Sequence, residues 1–312
     1  MFTKTRFDSL QLPDAIMQGI SSLAWECLTE VQRDTIPLAR SGRDVIGQAR
    51  TGSGKTAAFG IPILERCQPT GSLQGLVLAP TRELAQQVAE EMNQLQGDHG
   101  LSIMTVYGGT DLEKQAKALD AGVDLIVGTP GRVMDMSERK HLDLSKVEVF
   151  CLDEADRMAD MGFLPQVEWI LRKVERKHQT LLFSATLDGV VNSLIQRYQS
   201  DPCMHEVEAK EITVEEMTHR FLHVHERDKV KVAAAIAASA SRTLIFSNTK
   251  AGCDHLVRKL TEEGVKAQAI HGDLRQNMRE KALDRFAKGD LPVLVATDVA
   301  ARGIHVDDVE VV

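Results

Sequence analysis

Two groups of residues in this sequence have the types and spacing for phosphate chemistry. The first is Ala49-Arg50-Thr51-Gly52-Ser53-Gly54-Lys55-Thr56. Glycines at 52 and 54 let backbone N–H groups turn inward around phosphate oxygens, where a Cβ would obstruct them. Lys55 would reach the β- and γ-phosphates as a point charge, and the Thr56 hydroxyl would ligate Mg²⁺. The second group is Asp153-Glu154-Ala155-Asp156. Mg²⁺ takes one or two carboxylates and completes its shell with phosphates and water. Asp153 would hold that hydration shell while Glu154 orients and deprotonates an attacking water. The bland alternatives are a glycine-rich turn that binds nothing and a solvated acidic helix start favoured by the helix dipole.

Such groups need rigid elements behind them, and the surrounding pattern supplies these. The run 44–49 reads as a buried strand, and Ala57, Ala58 and Phe59 begin a helix whose free N-terminal amides would face the phosphates. Further β-rich runs lie at 76–79, 102–107, 125–128, 147–152 and 180–183, separated by helical stretches such as Leu84, Val88, Met92 and Leu95. This alternation predicts a parallel sheet covered on both faces. Ligands of such sheets sit at the carboxyl ends of the strands. Pro80 to Ala85, Thr129 to Arg132, Asp153 to Asp156 and Ser184 to Thr186 all fall at such ends.

Residues 1–43 read as a helical prelude, with Pro13 in a first turn and Ile16, Ile20 and Leu23 near one face. Thr29 and Gln32 have capping-box spacing, so Gln32 either satisfies a backbone N–H or reads adenine through its amide. The pattern breaks over 200–216, where 204–216 reads as a linker between a first unit, 1–203, and a second, 217–312. The second unit repeats the alternation with runs at 220–224, 242–247, 267–271 and 293–296, and has no phosphate loop of its own. His271 there reads as a hydrogen-bonded loop histidine, since no other His or Cys stands at ligand spacing.

Composition narrows the function classes. The 312 residues carry a net charge of −8, which argues against nucleic-acid binding through a bulk basic field but leaves room for a local Arg-lined groove. No stretch is long and apolar enough for a membrane span, and the start lacks the apolar core of a signal peptide. Five widely spaced cysteines without a C-x-x-C suggest neither zinc nor a disulfide framework, and a reducing cytoplasm is the expected location.

Taken in order, these segments resemble the DEAD-box RNA helicases over nearly the whole chain. Phe7 with Thr29 and Gln32 is similar to the upstream aromatic and Q motif, 49–56 to motif I, 80–85 to motif Ia, and Gly108-Gly109 to the double glycine. Thr129 to Arg132 resembles motif Ib, Asp153 to Asp156 the eponymous motif, and Ser184 to Thr186 motif III. In the second unit 244–250 resembles motif IV, His271 to Leu274 with Gln276 and Arg279 the next signature, and 296–304 motif V.

The resemblance implies two RecA-like parallel-sheet lobes, an α/β architecture, acting on ATP with Mg²⁺ and on single-stranded or locally duplex RNA. Phe7 and Gln32 would hold adenine, and Ala49, Arg50, Thr51, Gly52, Ser53, Gly54, Lys55, Thr56 and Gly303 the rest of the nucleotide. Ser184 and Thr186 would couple the nucleotide to lobe closure. Arg82, Gly109, Thr129, Arg132, Gln276, Arg279 and Thr297 would hold the RNA backbone, a sequence-independent mode of contact. Three departures are visible. Leu28 replaces a usual Pro, His305 replaces the motif V Asp, and motif VI with its arginine fingers does not follow Val312. The expectation is therefore a C-terminally truncated helicase whose second lobe is incomplete, or alternatively an ATP- and RNA-binding fragment without appreciable hydrolysis.

Overall fold

Successive residues of a strand face opposite sides of its sheet, so a strand that is apolar throughout must be covered twice. In the computed structural model the strand β7 (Val149–Asp153) shows this directly. Val149 and Cys151 join one apolar cluster, and Phe150 and Leu152 join another across the sheet. The structure describes residues 2–50, 52–174, 177–187, 189–206, 218–274, 276–297, 306 and 308–312. The chain divides into two units, Met1–Ala209 and Lys210–Val312.

The first unit opens with β1 (Phe2–Arg6), α1 (Asp14–Ser22), β2 (Cys27–Thr29) and α2 (Glu30–Arg40). β1 and β2 pair antiparallel, so the expected helical prelude contains a two-stranded sheet as well as its helices. There follow β3 (Val45–Gln48), α3 (Lys55–Arg66), β4 (Gly75–Leu78), α4 (Arg82–Leu95), β5 (Ile103–Val106), α5 (Leu112–Asp120), β6 (Leu125–Gly128) and α6 (Pro130–Glu138). After β7 come α7 (Ala155–Asp160), α8 (Leu164–Leu171), β8 (Gln179–Ser184), α9 (Gly189–Tyr198) and β9 (Cys203–Glu206). Strands β3 to β9 form one sheet in the order β5-β6-β4-β7-β8-β3-β9, with each of these pairings parallel.

One boundary differs from the sequence reading. Residues 204–206, expected to begin a linker, belong to β9, which pairs with β3 along the sheet edge. The half-buried alternation of Cys203–Glu206 is that of an edge strand, too short and polar to stand out in sequence.

The second unit holds α10 (Lys229–Ala238), β10 (Thr243–Phe246), α11 (Lys250–Glu262), β11 (Ala267–Ile270), α12 (Gln276–Ala287) and β12 (Val293–Ala296). Its strands are parallel in the order β10-β12-β11, and Val311 adds a parallel bridge to Thr243. Val293 and Val295 pack on one face and Leu294 and Ala296 on the other. The run 220–224, expected as a strand, is irregular, and Phe221 is 95% exposed. Among the described residues no helix is long and apolar enough to cross a membrane.

Candidate nucleotide and nucleic-acid sites

The sheet order brings the ends of β3, β8 and β7 together in one half of the first unit and those of β4, β6 and β5 in the other. In the first half the phosphate loop leaves β3 and enters α3. The Ala49 N–H donates to the Ser184 carbonyl at 2.9 Å, tying the loop to β8. Gly52 and Gly54 have φ of 78° and 86°, the left-handed region that favours glycine. At Gly54 a Cβ would also overlap the Gln32 amide. Both the N–H and the hydroxyl of Ser53 donate to the Arg50 carbonyl, closing the turn. Thr51 lies outside the described residues.

Lys55 is the first residue of α3 and only 7% exposed. Its Nζ stands 4.0 Å from Asp153 Oδ1 on β7. Neither atom has a hydrogen-bond partner among the described residues. An ammonium and a carboxylate buried side by side yet short of contact fit a site that phosphate oxygens and a hard cation would complete. Burial pushes the Asp153 carboxyl up to about 6, Lys55 opposes that rise, and Glu154 adds to it. Thr56 is the next helical residue. Sequence reasoning missed its neighbour Glu91 on α4, whose carboxyl burial pushes up to about 7 against the opposing effect of a side-chain hydrogen bond with Thr56.

The acidic group is more than a solvated turn. Glu154 adopts φ 56° and ψ 53°, an unusual conformation for a non-glycine residue, which swings the chain from β7 into α7. Its nearly buried carboxylate accepts a 2.6 Å hydrogen bond from Arg157 Nη1. Arg157 was not singled out from sequence, although its i,i+3 spacing from Glu154 on a helix start is a usable signal. Asp156 joins this end to β8. Its N–H donates to Ser184 Oγ at 3.1 Å, and its Oδ2 accepts from the Thr186 N–H at 3.1 Å and hydroxyl at 3.2 Å.

Gln32 forms the capping box and also touches the phosphate loop. The capping box is formed, with Gln32 Oε1 accepting from the Thr29 N–H at 2.9 Å and Thr29 Oγ1 accepting from the Gln32 N–H. The same amide donates through Nε2 to the Gly54 carbonyl at 3.0 Å, so the cap touches the phosphate loop. Phe7 is buried, 2% exposed, and its ring stacks on Trp25 with centroids 6.2 Å apart.

The other half of the edge gathers arginines around a glycine turn. Arg82 is the first residue of α4, whose cap is Thr81. Gly109 has φ 87°, and a Cβ there would overlap the Arg82 guanidinium. A Cβ on Gly108 would lie 3.7 Å from Arg82 Nη2 and 3.9 Å from Arg132 Nη2. Thr129 caps α6 with its backbone and donates its N–H to Val106, while Arg132 Nη1 donates to Gln115 Oε1 at 2.8 Å. The structure thus brings Arg82, Gly109, Thr129 and Arg132 to neighbouring strand ends.

In the second unit the Thr297 N–H donates to the Ile270 carbonyl at 3.2 Å. His271 is buried with Nε2 3.1 Å from Asp254 Oδ1, and Lys250 Nζ donates to Asp273 at 2.6 Å. Arg279 lies half-buried on α12. Gln276 opens that helix, but its side chain, together with Gly303 and His305, lies outside the described residues. Among the described residues no group of three or more His, Cys, Asp and Glu side chains is placed to hold a metal ion.

Residues 29–194 match the model of the DEAD/DEAH box helicases, and residues 228–312 that of the helicase conserved C-terminal domain. The chain belongs to the DEAD/DEAH box helicase family. Among its relatives is the DEAD-box ATP-dependent RNA helicase CshA of Bacillus cereus, 43% identical over 98% of this chain. The ATP-dependent RNA helicase CshA of Listeria monocytogenes is 41% identical over the same share. The chain spans 59% of the length of each. Among solved structures, Saccharomyces cerevisiae Dbp5 bound to RNA and ADP BeF3 superposes with a TM-score of 0.89 at 31% identity, covering 98% of this chain and 79% of that one. A DEAD box protein from Methanococcus jannaschii gives 0.64 at 37% identity, covering 98% and 84%. Family membership makes the two α/β units RecA-like, and gives the phosphate loop and acidic strand end a shared context.

Proposed function

We propose that this chain is part of an ATP-dependent RNA helicase that hydrolyses ATP to clamp and locally separate RNA. The observation that carries the nucleotide half is the buried pair Lys55 and Asp153, 4.0 Å apart and without hydrogen-bond partners among the described residues. Buried charges left in this state are costly unless a ligand completes them.

The phosphate-loop amides and Lys55 would bind the β- and γ-phosphates, with Thr56 and Asp153 holding Mg²⁺. Bound Mg²⁺ would supply charge neutralisation across those phosphates. Glu154, held by Arg157, would orient the attacking water and take its proton. Ser184 and Thr186 would report the state of this site through Asp156. Gln32 would select adenine from its position against Gly54.

Arg82, Gly109, Thr129 and Arg132 of the first unit, with Gln276, Arg279 and Thr297 of the second, would hold the RNA backbone irrespective of sequence. Local guanidinium groups and glycine amides at strand ends supply this attraction despite the net charge of −8. The five unpaired cysteines support a cytoplasmic location.

RNA-stimulated ATP hydrolysis by the chain tests the reading. Turnover that requires both RNA and Mg²⁺ is expected. Nucleotide binding without turnover would make this chain a binding fragment, and absence of nucleotide binding would overturn the proposal.

A further inference from the structure

Gln115 takes no part in any motif read from the sequence, yet three hydrogen bonds converge on it. It lies on α5 and is 8% exposed. Its Nε2 donates to the Tyr107 carbonyl at 3.1 Å and to Thr110 Oγ1 at 2.7 Å, on either side of Gly108-Gly109. Its Oε1 accepts from Arg132 Nη1 at 2.8 Å. The orientation of the amide is set by its partners, because a carbonyl can only accept and a guanidinium can only donate.

We infer that Gln115 is a positioning residue for RNA binding, one that holds the Arg132 guanidinium and the Gly108-Gly109 turn in a single fixed arrangement. The inference rests on the proposal that this face holds an RNA backbone. An amide suits the task because it orients the arginine without neutralising it. A carboxylate at the same place would cancel the positive charge offered to a phosphate and would have no N–H for Tyr107 or Thr110. Asp135, an acidic neighbour, is 4.0 Å from Arg132 Nε and too far to hold the side chain by hydrogen bonding. Fixing a long side chain before binding also spares the ordering entropy that binding would otherwise cost.

The test uses the full chain and fluorescence anisotropy with labelled single-stranded RNAs of unrelated sequence, over a range of salt, in the presence of a non-hydrolysable ATP analogue. Arg132→Ala is expected to weaken all the RNAs alike and to reduce the salt slope by about one. Gln115→Met, which keeps length and volume, is expected to weaken binding about 3- to 10-fold with the slope retained, the range of one lost hydrogen bond. Gln115→Glu is expected to weaken binding further and to lower the slope as Arg132→Ala does. The double variant Gln115→Met with Arg132→Ala should lose less affinity than the sum of the two single losses, since part of the Gln115 effect passes through Arg132.

Binding of a fluorescent ADP analogue should be unchanged in the Gln115 variants, because the phosphate loop lies at the other half of the sheet edge. RNA affinity unchanged in both Gln115 variants while Arg132→Ala weakens it would overturn the inference and leave the RNA reading standing. So would additive losses in the double variant, which would mark Gln115 as a stabiliser of the turn alone. No effect from Arg132→Ala, or no RNA binding by the parent chain, would overturn the RNA reading of this face and the inference with it.

Discussion

Lys55 and Asp153 face each other across 4.0 Å, at the start of α3 and the end of β7, both nearly buried. The distance is a consequence of the sheet. β3 and β7 are separated by β8, so the helix following one and the carboxylate ending the other meet over the intervening strand. Lys55→Ala should weaken binding of a fluorescent ADP analogue by about 10- to 100-fold, the range of one charge-assisted hydrogen bond. The first unit should remain folded by circular dichroism with a lowered melting temperature, because Asp153 loses its neighbouring charge. Nucleotide affinity equal to the parent's would remove Lys55 from the phosphate site.

Arg157 holds the carboxylate proposed to activate water. Glu154→Gln should retain nucleotide binding and reduce RNA-stimulated turnover by roughly 10²- to 10⁴-fold, the usual contribution of a general base. Arg157→Ala should lower kcat with little change in nucleotide Kd, and Arg157→Lys should recover part of the loss. Steady-state kinetics beside equilibrium titration separates these outcomes. A variant at 157 that changes Kd alone would place the arginine outside the hydrolytic step.

Gln32 serves the α2 cap and the phosphate loop at once. Gln32→Ala should destabilise the chain by about 1 kcal/mol through the lost cap. It should also reduce the preference for ATP over GTP in competition binding. A lowered melting temperature with an unchanged ATP to GTP ratio would confine Gln32 to capping.

The cysteines should separate by reactivity. Cys67 is fully buried, and burial pushes its thiol up to about 12. Burial likewise raises the thiols of Cys151 and Cys253. A raised pKa leaves less thiolate at a given pH, and the thiolate is the nucleophile. Under native conditions at pH 8, iodoacetamide should therefore modify the half-buried Cys27 and Cys203 first, with the other three reacting only as the chain opens. Peptide mass spectrometry over time reads the order. Early modification of Cys67 or Cys151 would contradict the packing described for the sheet.

Much of the fold was legible because the sheet is buried on both faces. Runs such as Leu125–Gly128 are apolar from end to end and coincide with the strand itself. β1, β2 and β9 escaped because edge strands and small sheets alternate weakly and carry polar residues on their open side. The run 220–224 failed in the other direction, since β-rich composition makes no strand without a neighbouring strand to pair with. In the site, Asp153, Glu154 and Lys55 were legible because their chemistry is confined to short segments. Arg157, Glu91 and Gln115 were not, because each touches a residue singled out by a motif while belonging to none itself.

By itself the sequence determined which groups could handle phosphate, the parallel α/β character of both units, and membership in the helicase family. Those follow from local residue types, spacing and the period of burial. Only the tertiary structure decided that Lys55 and Asp153 stop short of contact and that Gln32 spans a cap and a loop. It also decided that Phe7 is packed against Trp25, and that Gln115 ties Arg132 to the glycine turn. These are distances between residues brought together by strand order and helix crossing, which no local pattern encodes.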